Sequence, residues 1–148
     1  MKIGIISDTH GLLRHEVTDA LQGCDLILHA GDVCDQWILD ELALIAPVHA
    51  ARGNNDWSLM HLPVENVVEV EGRYILVTHI RSRIREDTSV FDMVVYGHTH
   101  EYAYSEDEHT IFINPGSCGP RRFGGVITLA IAELDDDGFH VRKVIINP

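Results

Sequence analysis

Five short apolar runs in this chain each stop abruptly at a residue type that can ligate a metal, and this recurrence constrains the fold more than any other feature. Ile3-Gly4-Ile5-Ile6 gives way to Asp8-Thr9-His10, Leu26-Ile27-Leu28 to His29-Ala30-Gly31-Asp32, and Val48-His49-Ala50-Ala51 to Gly53-Asn54-Asn55-Asp56. Tyr74-Ile75-Leu76-Val77 then meets His79, and Met93-Val94-Val95-Tyr96 meets Gly97-His98-Thr99-His100. Each reads as a strand running into a loop that carries Asp, Asn or His. Ligands of open α/β sheets gather outside the carboxyl ends of the strands, so five such endings can converge on one site. The expected product is a metal centre.

The first half alternates strand and helix: Lys2 to Ile6, a helix from about Arg14 to Leu21, Asp25 to His29, a helix from about Gln36 to Ile45, then Val48 to Ala51. That order predicts βαβαβ with parallel strands. Gly23 fits a helix stop, Asp35 an N-cap, and Pro47 follows the second helix where it cannot continue. Trp37, Ile38 and Leu39, early in that helix, are expected in the core. After Trp57 the pattern turns to strands with tight connections, including a hairpin at Val67 to Val70 and Tyr74 to Val77, with one short helix near Ser82 to Ser89. Tyr102 to Tyr104, Thr110 to Ile113, Val126 to Leu134 and Phe139 to Ile146 complete the β-rich end. The fold class is α/β, a two-sheet β sandwich flanked by helices. At 148 residues, one domain over 1–148 is expected, taking roughly 150 residues per domain.

Eleven basic against 23 acidic residues give a formal charge of −12. This disfavours an extended nucleic-acid groove, which needs a basic stripe. A small, locally docked substrate fits better, and homo-oligomerisation is left open. Cys24, Cys34 and Cys118 are odd in number and lack CxxC spacing. With no signal-peptide pattern, reduced thiols and a cytoplasmic location are expected. No apolar run is long enough to span a membrane.

Asp8 and His10 are separated by one residue, as are His98 and His100, so each loop can aim two side chains at neighbouring ions. Carboxylate and amide oxygens mixed with imidazole suit Mn²⁺, Fe²⁺, Zn²⁺, Co²⁺ or Ni²⁺, and the absence of cysteine argues against a structural zinc knot. Two divalent metal ions are expected, Mn²⁺ first among them. A pair about 3.5–4 Å apart acidifies a bridging water and stabilises charge during in-line displacement at phosphorus. Asp32 is the candidate bridge, with Gly31 beside it permitting close backbone packing.

Asp8-x-His10, Gly31-Asp32, Gly53-Asn54, His79 and Gly97-His98-Thr99-His100 resemble, in order, the motifs of the calcineurin-like metallophosphoesterases. Asn114-Pro115-Gly116-Ser117 resembles the sequence that follows in their small prokaryotic phosphodiesterase branch. The resemblance implies that Asp8, His10, Asp32 and His100 hold one metal, and that Asp32, Asn54, His79 and His98 hold the other. It also implies a phosphodiesterase in which a metal-bridging hydroxide attacks the phosphoester. Phosphomonoesterase activity, or a non-catalytic protein-binding scaffold on the same fold, are the alternatives.

Two positions depart from the family pattern. Asn55 stands where many members have a His that assists catalysis. Its amide cannot donate a catalytic proton but can hydrogen-bond a phosphate oxygen. After His79 the chain has Ile80-Arg81-Ser82-Arg83-Ile84-Arg85 in place of a Gly-containing loop. Arg83, with Arg121, is a candidate to clamp substrate phosphate through bidentate hydrogen bonds. Asp56 is equally a turn residue or an orienter of a ligand, and His29 a strand residue or a neighbour of the site. His15, His61, His109 and His140 match no motif.

Overall fold

The structure is a computed structural model that describes residues 1–85, 87–122 and 124–148. The elements run β1 (Lys2–Ile6), α1 (His15–Ala20), β2 (Leu26–His29), α2 (Gln36–Ala43), β3 (Val48–Ala50), β4 (Glu65–Val70) and β5 (Arg73–Thr78). They continue with β6 (Met93–Val95), β7 (Tyr102–Asp107), β8 (Thr110–Pro115), β9 (Ile127–Asp135) and β10 (Gly138–Ile146). Two five-stranded mixed sheets form, ordered β10-β9-β1-β2-β3 and β4-β5-β6-β8-β7. The expected sandwich is therefore the observed architecture.

Strand periodicity explains how the layers meet. Ile3 and Ile5, Leu26 and Leu28, Ile75 and Val77, Met93 and Val95, and Ile111 and Ile113 alternate along their strands, and together they fill the space between the sheets. The intervening residues of β1, β2 and β9, among them Ile6, Ile27, Leu129 and Ile131, pack with Val17 and Leu21 from the first helical segment and with Ile38 and Leu42 of α2. Strands buried on both faces read as continuous apolar runs, as Ile3 to Ile6 does.

The topology sets where the site is built. β1, β2 and β3 are mutually parallel, as are β5, β6 and β8. The carboxyl ends of five of these six strands, all but β8, feed the loops that carry every metal-ligand candidate.

Two expectations need correction. The helix expected near Ser82 to Ser89 spans residue 86, which lies outside the described residues, and the described residues on either side form no α-helix: Arg81–Arg83 and Thr88–Val90 are single 3₁₀ turns. The second is initiated by Asp87, whose side chain accepts from the Ser89 N–H at 3.0 Å, an Asx turn that competes with continued helix. Trp37 is 47% exposed rather than buried. The buried stripe of α2 comprises Ile38, Leu39 and Leu42, and helical spacing puts Trp37 on the far side of it. Asp35 does occupy the N-cap position, although its side chain makes no capping hydrogen bond.

Candidate metal centre

Six residues in the ligand loops have left-handed backbone: Asp8 (φ 58°), His10 (46°), Asp32 (57°), Cys34 (76°), His98 (75°) and His100 (66°). Side-chain-bearing residues seldom adopt this region, and clusters of such strain mark functional loops. The alternation also shows how Asp8 and His10 turn two side chains toward one locus.

Two tight groups result. Asp8, His10 and His100 offer ligand atoms within 4.8 Å of one another, and so do Asp8, Asp32 and His79. Oδ1 of Asp8 lies 3.4 Å from His10 Nε2, 3.3 Å from His100 Nε2 and 3.9 Å from His79 Nε2. Oδ2 of Asp32 lies 3.4 Å from His10 Nε2 and 3.3 Å from His79 Nε2. Asp32 thus stands between a His of each expected ligand set.

Neighbouring groups aim these ligands. Oδ2 of Asp8 accepts from Ser7 Oγ at 2.6 Å and from the His98 N–H at 3.2 Å, which leaves Oδ1 toward the imidazoles. Nδ1 of His79 lies 2.8 Å from the Ala30 carbonyl, an acceptor only, so Nδ1 carries the proton and Nε2 presents its lone pair. Asn114 donates to the Gly97 carbonyl and to Thr99 Oγ1, and Ser117 donates to the Asp8 carbonyl. The Asn-Pro-Gly-Ser segment therefore ties the His98–His100 loop to the Asp8 loop. As expected, Gly31 permits close approach, since a Cβ there would stand 2.9 Å from both Gly53 N and His79 Nδ1. Gly53 is tighter still, its added Cβ falling 2.2 Å from Asp32 Oδ1.

Four buried polar atoms in this cluster lack a hydrogen-bond partner among the described residues: Asp8 Oδ1, His10 Nε2, His79 Nε2 and His100 Nδ1. Orphaned buried acceptors are costly and need an explanation such as a bound ion. Two of them, His10 Nε2 and His79 Nε2, lie between the Asp8 and Asp32 carboxylates, so the donor set fits divalent cations. Electrostatics agree. Burial works to raise the Asp8 carboxyl, but His10, His100, His79 and Ser7 outweigh it and hold it well below the usual range. For Asp32, burial is likewise outweighed by His79 and Asn55, bringing the carboxyl down to about 2. Burial opposes protonation of His79, yet Asp32 and Asp8 raise it. The site is built to hold positive charge.

The remaining candidates are more peripheral. His98 is exposed, its ring centroid 5.2 Å from that of His79. Asn54 is exposed and shares a cavity with His79 and Arg83. Arg121 lines a different, smaller cleft beside His100 and Ser117, so the two arginines do not form one clamp. Asn55 faces inward: its backbone N–H donates to Asp32 Oδ1 and its side-chain amide to Asp32 Oδ2, each at 2.9 Å.

Sequence reasoning underweighted Asp56 and passed over Arg52. Asp56 is 2% exposed, and its carboxylate accepts from the N–H groups of Asp32 at 3.0 Å, Cys34 at 2.8 Å and Gly53 at 2.6 Å. It clamps the loops after β2 and β3 together. Its place directly after Asn54-Asn55 was the available signal. His29 is likewise fully enclosed: Nδ1 accepts from the Gly31 N–H at 3.1 Å, and Nε2 lies 3.0 Å from Thr9 Oγ1.

Comparison with known proteins agrees with this geometry. The profile of the calcineurin-like phosphoesterase superfamily domain matches residues 1–137. A probable metallophosphoesterase of Methanothermobacter thermautotrophicus is 35% identical over 132 residues, covering 79% of this chain and 77% of that protein. The solved structure of an archaeal phosphodiesterase superposes with a TM-score of 0.78 at 26% identity, covering 99% of this chain and 100% of that one. Vps29 of Entamoeba histolytica, solved with zinc, superposes at 0.74 with 23% identity, over 99% of this chain and 100% of that one, a likeness of fold. By its profile match, its relatives and its architecture, the chain belongs to the calcineurin-like phosphoesterase superfamily, whose members bind divalent metals.

Proposed function

We propose that this chain is a dinuclear, metal-dependent phosphodiesterase acting on small phosphoesters in the cytoplasm. The observation that carries the reading is the convergence of the unpartnered Nε2 atoms of His10 and His79 on the Asp8 and Asp32 carboxylates at 3.3–3.9 Å. In this reading Asp8, His10, Asp32 and His100 hold one ion, and Asp32, Asn54, His79 and His98 hold the other, with Asp32 shared. Support for the sharing comes from the near-equal distances of Asp32 Oδ2 to His10 and His79. Two bound divalent ions, Mn²⁺ first among those the set suits, would supply charge neutralisation and an acidified water for in-line displacement.

The chain's own residues do the rest. His79 is oriented by its buried contact with the Ala30 carbonyl, whereas exposed His98 and Asn54 form the side open to a ligand. Position 55, where many family members have a His, holds an amide that is engaged with Asp32 and cannot supply a proton to a leaving group. Esters with good leaving groups are therefore the favoured substrates.

The test compares turnover of bis(p-nitrophenyl) phosphate and p-nitrophenyl phosphate by chelator-stripped protein before and after Mn²⁺. Restored activity favouring the diester is expected. Preference for the monoester would make the chain a phosphomonoesterase, and no turnover at confirmed metal occupancy would favour a binding scaffold.

A further inference from the structure

Two arginines share a cavity with the metal cluster. Arg52 and Arg83 line a space of about 200 Å³ together with Asn54, Val64, Thr78 and His79. None of its lining residues is an Asp or Glu. Glu65 stands opposite Thr78 across the β4–β5 ladder but is not part of the lining. In a chain of formal charge −12, a cavity whose charged lining residues are two arginines with no carboxylate stands out.

Among the described residues the guanidinium groups are not used up elsewhere. Nη1 of Arg52 donates to the Met60 carbonyl at 3.1 Å, which anchors the group by one nitrogen. Every ion pair among the described residues has a histidine as its cation, so neither arginine is neutralised there. Arg81 differs, since its guanidinium lies 4.1 Å from the Phe112 ring centroid and does not line this cavity. Two guanidinium groups that line one cavity, with no carboxylate paired to either among the described residues, favour an anion there. Their planar donors match phosphate oxygens.

We propose that Arg52 and Arg83 form a second anion subsite beside the metal cluster, and that the preferred substrates are phosphoesters carrying a further phosphate group. The proposal rests on the phosphodiesterase reading for the word substrate. The subsite itself is a binding property that can be tested apart from turnover.

The experiment measures, by calorimetry on the Mn²⁺-loaded protein, the affinities of thymidine 3′,5′-bisphosphate and thymidine 5′-phosphate. The bisphosphate is expected to bind about tenfold more tightly, since charge-assisted hydrogen bonds contribute on that scale. That ratio should collapse toward one in Arg83→Ala and in Arg52→Ala/Arg83→Ala. Arg83 is exposed, so its single variant guards against misfolding of the double. Equal or weaker binding of the bisphosphate, or a ratio that persists in the double variant, overturns the subsite. Thymidine 5′-(p-nitrophenyl phosphate), with and without a 3′-phosphate, is assayed in parallel. Turnover of neither ester with the binding ratio intact would defeat the phosphodiesterase reading and leave the subsite standing. Turnover of both with no binding preference would do the reverse.

Discussion

Asn55 holds both oxygens of the Asp32 carboxylate, through its backbone N–H and its side-chain amide, at 2.9 Å each. An amide committed in this way positions the shared ligand. Groups that orient a ligand typically contribute about 10–100-fold in metal affinity. Asn55→Ala is therefore expected to weaken Mn²⁺ binding by about tenfold, at the low end of that range. Titration calorimetry reads this directly. A variant with unchanged Mn²⁺ affinity and only a lower kcat would show that the amide works on substrate instead.

The same geometry predicts the leaving-group dependence. With no proton donor at position 55, rates should fall steeply from aryl to alkyl phosphodiesters. Equal rates across the series would contradict it.

Asp56 carries a structural load that its position in a loop conceals. Replacing it with Ala strands the N–H groups of Asp32, Cys34 and Gly53, each costing about 1–3 kcal/mol when buried and unsatisfied. Asp56→Ala should destabilise the chain by about 3 kcal/mol or more, and Asp56→Asn, which keeps one acceptor oxygen, by less. Urea denaturation midpoints measure both. A midpoint within error of wild type in Asp56→Ala would show that water satisfies these donors.

Much of this was legible because strand-end ligands are a local code. An apolar run stopping at Asp8, Asp32 or His79 states both a strand and the direction its last side chain faces. The mixed sheet pairing was not legible, since antiparallel β9 joins β1 from more than a hundred residues away. Arg52 was passed over because it acts only through a cavity shared with Arg83, a juxtaposition created by folding. At the far end of the expected Ser82 to Ser89 helix, a local Asp87 hydrogen bond sets a single 3₁₀ turn where weak helical periodicity suggested more. Trp37 shows the complementary failure, an aromatic residue taken as core although helical phase puts it on the exposed face.

His29 should give metal-free protein an acid-sensitive stability. Burial, against smaller opposing contributions from Asp8 and Asp32, pushes the imidazole down to about 4 from an ordinary 6.5. Protonation would also end the acceptance of the Gly31 N–H by Nδ1. Because the folded value is depressed, stability is full above pH 6.5 and falls as pH drops toward 4, by about 3 kcal/mol. His79 acts outside this window: its folded value is raised, so its contribution is full below pH 6.5 and lost at higher pH. Asp8 and Asp32 lose theirs only below their ordinary 3.8. Unfolding free energy between pH 6.5 and 4.5 should therefore slope in wild type and flatten in His29→Gln. Parallel slopes would place the acid sensitivity elsewhere.

Metal addition should stabilise the fold, and the ligand variants should divide that effect. A ligand at 100 times its Kd contributes about 2.7 kcal/mol per site, which for a chain of this size raises Tm by about 5–10 °C. Asp32→Asn removes a carboxylate that lies 3.4 Å from His10 and 3.3 Å from His79. It should abolish most of the Mn²⁺-induced rise and lower the bound stoichiometry below one. His98 is exposed and lies outside both tight ligand groups, so His98→Ala should keep one ion and about half the rise. Calorimetric unfolding with parallel metal analysis separates the cases. Two ions retained by Asp32→Asn with the full shift in Tm would refute the shared ligand, and two ions retained by His98→Ala would remove His98 from the set.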